Sequence, residues 1–181
     1  MSRFKSLLTL FVIFLLVLLF TACTDQPLAQ PTPIPPTASP LPTLSAEQLQ
    51  SATYFAPVYA RQITLTGGRF EEPGTLWVSL LPAMAFGDLN GDGLEDAAVF
   101  LSENGGGSGI FVSLVVVFNQ AGQPVQAGAV AIDDRAIIST VEITAGQIVV
   151  AATIHSISDP GCCPTLVVRQ TYALEGGIPI L

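Results

Sequence analysis

The chain has 181 residues with a formal net charge of −8, because 14 acidic side chains outnumber 6 Lys and Arg side chains. This acidity makes nucleic acid and anionic lipid surfaces poor partners, since both repel a negatively charged protein. The length is enough for one domain with one hydrophobic core, once the N-terminal segments are set aside.

The N-terminus has the features of an export signal. Arg3 and Lys5 precede an apolar run over residues 7–20, which is followed by Thr21-Ala22-Cys23. The run is shorter than the roughly 17–25 residues of a transmembrane helix and suits the apolar core of a secretory signal. A small residue directly before Cys23 resembles the lipobox of bacterial lipoproteins, which implies cleavage after Ala22 and lipidation of the Cys23 thiol. Ordinary cleavage and an uncleaved anchor are the alternatives.

The next segment is rich in Pro, interleaved with Thr, Ser, Gln and Ala, up to Ser45. Pro fixes φ and donates no backbone hydrogen bond, so we expect an extended spacer of polyproline character. We therefore predict a lipoprotein signal peptide over residues 1–22, a tether over residues 23–45 and a single β-rich domain over residues 46–181. This organisation predicts an extracytoplasmic protein whose lipid anchor attaches it to the bacterial cell membrane.

The domain begins with a helix signal and continues with strand signals. Ser45 stands at an N-cap position and Gln48 at the capping-box position, so one short helix is predicted there. Period-two patterns and β-branched residues then predict strands over residues 59–65, 75–80, 96–102, 110–118, 125–132, 136–144, 147–154 and 166–174.

Short connections between these strands predict antiparallel neighbours. Ala145-Gly146 is typical of a two-residue hairpin, and residues 119–123 predict a looser one. Residues 97–101 and 111–118 are apolar on both faces, which predicts central strands covered on both sides. The predicted fold class is therefore β-rich α+β, with an antiparallel sheet, curled or two-layered, and one short N-terminal helix.

Polar residues recur at a metal-binding spacing in Asp88-Leu89-Asn90-Gly91-Asp92-Gly93-Leu94-Glu95-Asp96. Oxygen-bearing side chains fall at loop positions 1, 3, 5 and 9 (Asp88, Asn90, Asp92 and Asp96), and Leu94 can offer its carbonyl at position 7. Gly93 stands at position 6, where a calcium loop turns sharply. The pattern predicts Ca²⁺ as a cofactor. An ordinary tight turn between strands is the alternative, because Asp, Asn and Gly are also turn residues.

The loop resembles a known calcium motif. Phe86-Gly87, the Asp-x-Asn-Gly-Asp-Gly-x-x-Asp loop and the apolar strand after it are similar to FG-GAP repeats of integrin-type propellers. The loop occurs once in the sequence, so a propeller is not implied. Together with Gly105 to Gly109, Asp133-Asp134-Arg135 and Asp159-Pro-Gly-Cys-Cys-Pro-Thr165, the chain resembles a group of small secreted bacterial lipoproteins. That resemblance implies no reaction.

Cys162 and Cys163 are the cysteines that remain once Cys23 is lipidated. In an oxidising compartment they predict a vicinal disulfide, with reduced buried thiols or a bridge to another chain as alternatives. His155 with Asp159 and this pair could be drawn as a zinc site. Adjacent residues of an extended chain point to opposite faces, however, and cannot easily chelate one ion.

The other candidate sites lack the residue patterns that a functional site requires, and we predict no catalytic residue. Ser108 lies in Gly-Gly-Ser-Gly, which does not fit a nucleophile elbow. Asp133-Asp134-Arg135 predicts a local charge pair without a function. Trp77, Tyr59 and Phe70 could line a groove, although aromatic residues in strands are more often core.

Three hypotheses follow. The first is a non-enzymatic binding or structural module that calcium stabilises. The second is an envelope thiol/disulfide redox protein that uses Cys162 and Cys163. The third is an inhibitor or scaffold of another envelope protein, which the acidity and the lack of a catalytic set favour.

Overall fold

The structure, a computed structural model, describes residues 41–181. The predicted signal peptide, Cys23 and the tether up to residue 40 lie outside the described residues. The end of the predicted tether belongs to the domain, because Leu44 is buried in the core and the Pro42 carbonyl accepts a hydrogen bond of 2.8 Å from Asn119 Nδ2. No helix within residues 41–181 is long and apolar enough to cross a membrane.

The domain opens with one short helix, as predicted. This helix, α1, spans Ala46–Leu49 and has Ser45 as its N-cap. The Ser45 hydroxyl accepts from the Gln48 backbone N–H at 3.2 Å, and the Gln48 side chain accepts from the Ser45 N–H at 2.9 Å. This reciprocal capping box satisfies two backbone donors that a short helix would otherwise leave open.

The remainder of the described chain forms three antiparallel sheets. A ribbon pairs β1 with β2, a five-stranded sheet has the order β3-β4-β5-β6-β7, and a four-stranded sheet has the order β11-β10-β9-β8. The strands are β1 (Thr53–Ala56), β2 (Arg61–Thr64), β3 (Arg69–Glu72), β4 (Leu76–Gly87), β5 (Asp96–Asn104), β6 (Phe111–Gln120), β7 (Gln123–Asp134), β8 (Ile137–Thr144), β9 (Gln147–Ile154), β10 (Leu166–Glu175) and β11 (Ile178–Ile180).

The five-stranded sheet is covered on both faces, which confirms the predicted central strands. On β5, Val99 and Leu101 pack against α1 and the β1-β2 ribbon, whereas Ala98 and Phe100 pack against the four-stranded sheet. On β6, Val115 and Val116 divide between the two faces in the same way. Successive side chains of a strand point to opposite faces, so an unbroken apolar run belongs to a strand covered on both sides.

The β-rich antiparallel class is confirmed, and its strands form three antiparallel sheets. The predicted strand over residues 59–65 is wrong at its start, because Tyr59 and Ala60 lie in the turn between β1 and β2. The predicted strand over residues 75–80 continues to Gly87 through a bulge between Leu80 and Met84. Strands β1, β3 and β11 have only 3 to 4 residues each and were not predicted.

Two hairpins of the fold have two-residue turns whose central residues both have positive φ. Ala145 and Gly146 connect β8 to β9 with φ values of +51° and +73°. Positive φ at both central residues is the type I′ geometry, whose twist matches that of the strands. Ala121 and Gly122 connect β6 to β7 in the same way, with φ values of +52° and +88°. This second hairpin is therefore tighter than predicted.

A buried carboxylate anchors the β1-β2 turn to the central sheet. Glu103, near the end of β5, has 0% exposure, and its Oε2 accepts from the backbone N–H groups of Val58 at 3.2 Å and Tyr59 at 3.3 Å. Burial raises the pKa of the Glu103 carboxyl, although the two backbone hydrogen bonds act in the opposite direction. The folded protein therefore holds this proton more tightly than the unfolded chain does.

Glu103→Gln tests that anchor through its pH dependence. Because the pKa is raised on folding, the contribution of Glu103 is most favourable below its ordinary pKa of 4.5 and becomes less favourable as pH rises through the folded-state value. The variant keeps an acceptor oxygen without the charge, so we expect a smaller fall in the free energy of unfolding above about pH 4.5. Urea unfolding at a series of pH values measures this, with Glu71→Gln on the exposed side of β3 as the control. A variant profile parallel to that of the wild type would contradict it.

Candidate metal centre

The predicted calcium loop lies between two strands of the central sheet. Strand β4 ends at Gly87 and β5 begins at Asp96, and these two residues are register partners in the antiparallel pair. The loop is therefore the connection of a strand pair, as the sequence predicted, and not the centre of a helical EF-hand. Gly105 to Gly109 connect the opposite end of β5 to β6, so the glycine-rich segment stands away from this loop.

Asp88, the first predicted ligand, organises the loop through its carboxylate. Its Oδ1 accepts from the Gly91 N–H at 2.7 Å and its Oδ2 accepts from the Gly93 N–H at 3.0 Å. Both glycines have positive φ, +82° and +83°, which side chains with a Cβ rarely adopt. The Gly91 hydrogen bond is the main cause of the lowered pKa of Asp88. The loop is curved around an ionised carboxylate.

Asn90 and Asp92 lie on the exposed side of the same loop. Asn90 Oδ1 accepts from the Asp92 N–H at 2.8 Å, and Asp92 Oδ1 accepts from the Leu94 N–H at 2.8 Å. The Asn90 amide also donates to Asp92 Oδ2 at 3.1 Å. The side-chain oxygens at loop positions 1, 3 and 5 thus each accept a hydrogen bond from the loop's own backbone.

Asp96 differs from the other acidic residues of the loop because it is fully buried, with 0% exposure. Its Oδ2 accepts from the Leu89 N–H at 3.0 Å and its Oδ1 accepts from the Asn119 N–H at 2.9 Å. Burial is the main cause of the raised pKa of Asp96, and the negative charges of Asp92 and Asp88 raise it further. Asp96 therefore joins the loop to the end of β6 through its two hydrogen bonds, and its ionisation is disfavoured by the nearby carboxylates of Asp88 and Asp92.

Asn119 supports the loop, although no sequence pattern singles it out. This residue is 1% exposed, and its Nδ2 donates to the Glu95 carbonyl at 3.2 Å and to the Pro42 carbonyl at 2.8 Å. Its Oδ1 accepts from the Gly122 N–H at 2.7 Å. The signal in the sequence is a single Asn at the end of an apolar strand, which fits the predicted hairpin over residues 119–123 equally well.

The donor set has the chemistry that calcium prefers, because hard carboxylate and amide oxygens are its usual protein ligands. No ion pair within residues 41–181 includes Asp88, Asp92 or Asp96, so their charges are not compensated by a basic side chain there. In the same part of the chain, no three His, Cys, Asp or Glu side chains are gathered closely enough to hold a metal ion. Leu94, whose carbonyl was predicted as a ligand, is half-buried beside them.

The second predicted site, Cys162 and Cys163, lies in the exposed loop between β9 and β10, and the structure joins the two residues in a disulfide. Asp159 closes the base of this loop, because its Oδ2 accepts from the Ser156 N–H at 2.9 Å and the Thr165 N–H at 2.7 Å. These hydrogen bonds lower the pKa of Asp159 far below its ordinary value. The cysteines are thus presented on a well-anchored loop.

The charged segment at the end of β7 braces this loop. Arg135 Nη1 contacts Asp134 Oδ2 at 2.6 Å and also donates to the Gly161 carbonyl at 2.6 Å. Asp133 Oδ2 lies 2.9 Å from His155 Nδ1. The predicted charge pair therefore exists, and His155 is paired with Asp133 while both cysteine sulfurs are bonded to each other.

No protein-family model, no curated protein and no solved structure matches the chain. The resemblance of the Asp88 loop to FG-GAP repeats, and of the chain to small secreted lipoproteins, remains a prediction from the sequence.

Proposed function

We propose that the protein is a non-enzymatic binding or structural module, anchored by lipid at Cys23 on the outer side of the bacterial cell membrane and stabilised by calcium. Calcium binding is supported by the acidic side chains of Asp88, Asp92 and Asp96, which form no ion pair with a basic side chain in the described chain. A cation would remove the mutual repulsion that contributes to the raised pKa of Asp96.

Asp88, Asn90, Asp92 and the Leu94 carbonyl would hold the ion, following the loop positions that calcium uses. Asp96 stands at position 9, from which such loops often bind through a water molecule. Calcium supplies positive charge and ties the loop together, and no reaction is assigned to it. The hydrogen bonds from Gly91 and Gly93 to Asp88 already hold the backbone of the loop in a curve. Calcium binding would therefore require rotation of the ligand side chains and little movement of the backbone.

Thermal unfolding of the metal-stripped protein tests this proposal. Extracellular calcium modules bind with dissociation constants of about 0.1–1 mM, so about 10 mM calcium would stabilise the folded state by about 1.4–2.7 kcal/mol. We expect the Tm to rise by about 4–10 °C. Circular dichroism of the full-length protein in a neutral detergent follows the transition.

Magnesium at the same concentration is the control, because it demands near-octahedral geometry and gives up its waters reluctantly. A general effect of divalent charge would raise the Tm equally with both metals. An unchanged Tm with calcium would contradict the proposal and make residues 88–96 a plain turn between strands.

A thiol/disulfide redox protein is the second candidate. The observation that favours it is the exposure of both Cys162 and Cys163 at a loop whose base is fixed by Asp159. Such a disulfide is open to attack by a thiolate of a substrate protein. Inertness toward dithiols at neutral pH in the folded protein would remove this candidate.

A further inference from the structure

A groove of about 650 Å³ runs between strands β1 and β7, and we call it the β1-β7 groove. Phe55 of β1 lies on one side, Val125, Gln126 and Gly128 of β7 form its other wall, and Ile178 of β11 closes one part of it. It shares no residue with the Asp88–Asp96 loop or with the cysteine loop. Its volume is in the range of sites that bind small molecules or short peptide segments.

Both strands that border the groove are edge strands. Within the described chain, β1 is paired with β2 alone and β7 is paired with β6 alone, so each has one edge without a strand partner. An edge strand exposes backbone N–H and C=O groups that can pair with another strand. On β1, the N–H and C=O of Phe55 face the groove, because both are hydrogen-bonded to the side chain of Gln126.

One backbone position on β1 already has an amide partner from across the groove. Gln126 Oε1 accepts from the Phe55 N–H at 2.7 Å, and Gln126 Nε2 donates to the Phe55 carbonyl at 3.2 Å. A hydrogen-bonded residue pair in an antiparallel ladder exchanges the same two bonds. A carboxamide carries the donor and the acceptor of a peptide group, so Gln126 stands where the backbone of a neighbouring strand would stand.

The surface around this contact is uncharged and presents large apolar side chains. Phe55 is 51% exposed, Val125 38% and Ile178 52%, and all three line the groove. The groove is lined by no Asp, Glu, Lys or Arg, although the protein as a whole carries a net charge of −8. A ligand that matches this surface is itself uncharged and apolar on the side that enters.

We propose that the β1-β7 groove binds an extended, uncharged peptide segment of another protein as an added β-strand. The segment pairs with the free edge of β1 and displaces the Gln126 carboxamide from Phe55, while its alternate side chains contact Phe55, Val125 and Ile178. Backbone pairing gives affinity and the alternate side chains give specificity, as in other cases of strand addition. The proposal specifies the binding role proposed above but depends on no residue of the calcium loop, so it survives if calcium does not bind.

The test is selection of displayed random peptides of about ten residues on the full-length protein, followed by fluorescence anisotropy with the synthetic peptides that are enriched. We expect binders with alternating apolar residues and no charge on the entering face. Gln126→Ala should bind them about tenfold more tightly, because in the wild type two hydrogen bonds to Phe55 must break first. Gln126→Met, which keeps the bulk of the side chain and lacks the amide, is the second variant, in case the alanine variant folds poorly.

Two controls separate backbone pairing from general stickiness. Gln123→Ala changes an exposed Gln of β7 outside the groove and should leave the affinity unchanged. Methylating every second peptide nitrogen should abolish binding in one register and leave it in the other, because only alternate N–H groups face a partner strand. A selection without binders would overturn the proposal. So would binders with equal affinity for wild type and both Gln126 variants, or binders insensitive to methylation in either register.

Discussion

Asp96→Ala is expected to lower the free energy of unfolding by about 2–6 kcal/mol. The substitution leaves the backbone N–H groups of Leu89 and Asn119 without the acceptor that they have now, and a buried donor that loses its partner costs about 1–3 kcal/mol. Because small domains have a total stability of about 5–15 kcal/mol, this one side chain decides whether the domain is well folded. Urea unfolding, followed by the fluorescence of Trp77, measures the effect.

Two further variants show whether the acceptor, and not the charge, is responsible. Asp96→Asn keeps one oxygen but turns an amide group toward the second N–H, so we expect it to lie between wild type and Asp96→Ala. Glu95→Ala removes the neighbouring charge from an exposed side chain and should change stability by less than about 0.5 kcal/mol. An Asp96→Ala variant as stable as Glu95→Ala would contradict the anchoring role.

Asp92→Ala, in contrast to Asp96→Ala, is expected to leave the free energy of unfolding nearly unchanged and to weaken calcium binding at least tenfold. Asp92 is exposed and its carboxylate contacts only the Leu94 N–H and the Asn90 amide within the loop, so its loss breaks no link to the core. The affinity of a calcium loop depends on the number of charged ligands, so removal of one carboxylate weakens binding. Calcium titration followed by thermal unfolding measures both properties on one sample.

Glu95→Ala is the matched control, because it removes the same charge from the same loop at a position that calcium loops do not use for binding. If both variants weakened calcium binding equally, a diffuse attraction of the acidic loop would be at work, with no defined site. Asp92 and Asp96, both in the nine-residue loop from Asp88 to Asp96, thus separate an effect on calcium binding from an effect on folding stability.

Local patterns were enough to predict much of the fold. Strand β9 begins and ends where the alternation of Gln147 to Ile154 predicts, and the capping box of α1 follows from Ser45 and Gln48. These features depend on residues only a few positions apart, so hydrophobic periodicity and capping signals in the sequence are enough to predict them. The runs that are apolar on both faces indicated β5 and β6 for the same reason.

Pairs that are distant in sequence could not be predicted. Phe55 and Gln126 are 71 positions apart, and Asn119 reaches Pro42 over 77 positions. None of these residues stands out in the local sequence around it. The partners come into contact only because of the way the three sheets pack together. Strand β4 was predicted too short because Pro82 interrupts the alternation, whereas the bulge between Leu80 and Met84 accommodates it without ending the strand.

Isothermal titration calorimetry on the metal-stripped full-length protein shows directly whether the Asp88–Asp96 loop binds calcium. We expect one binding event with a dissociation constant of about 0.1–1 mM, present in wild type and Glu95→Ala and weakened at least tenfold in Asp92→Ala. A folded wild-type protein that binds no calcium up to about 10 mM would contradict it.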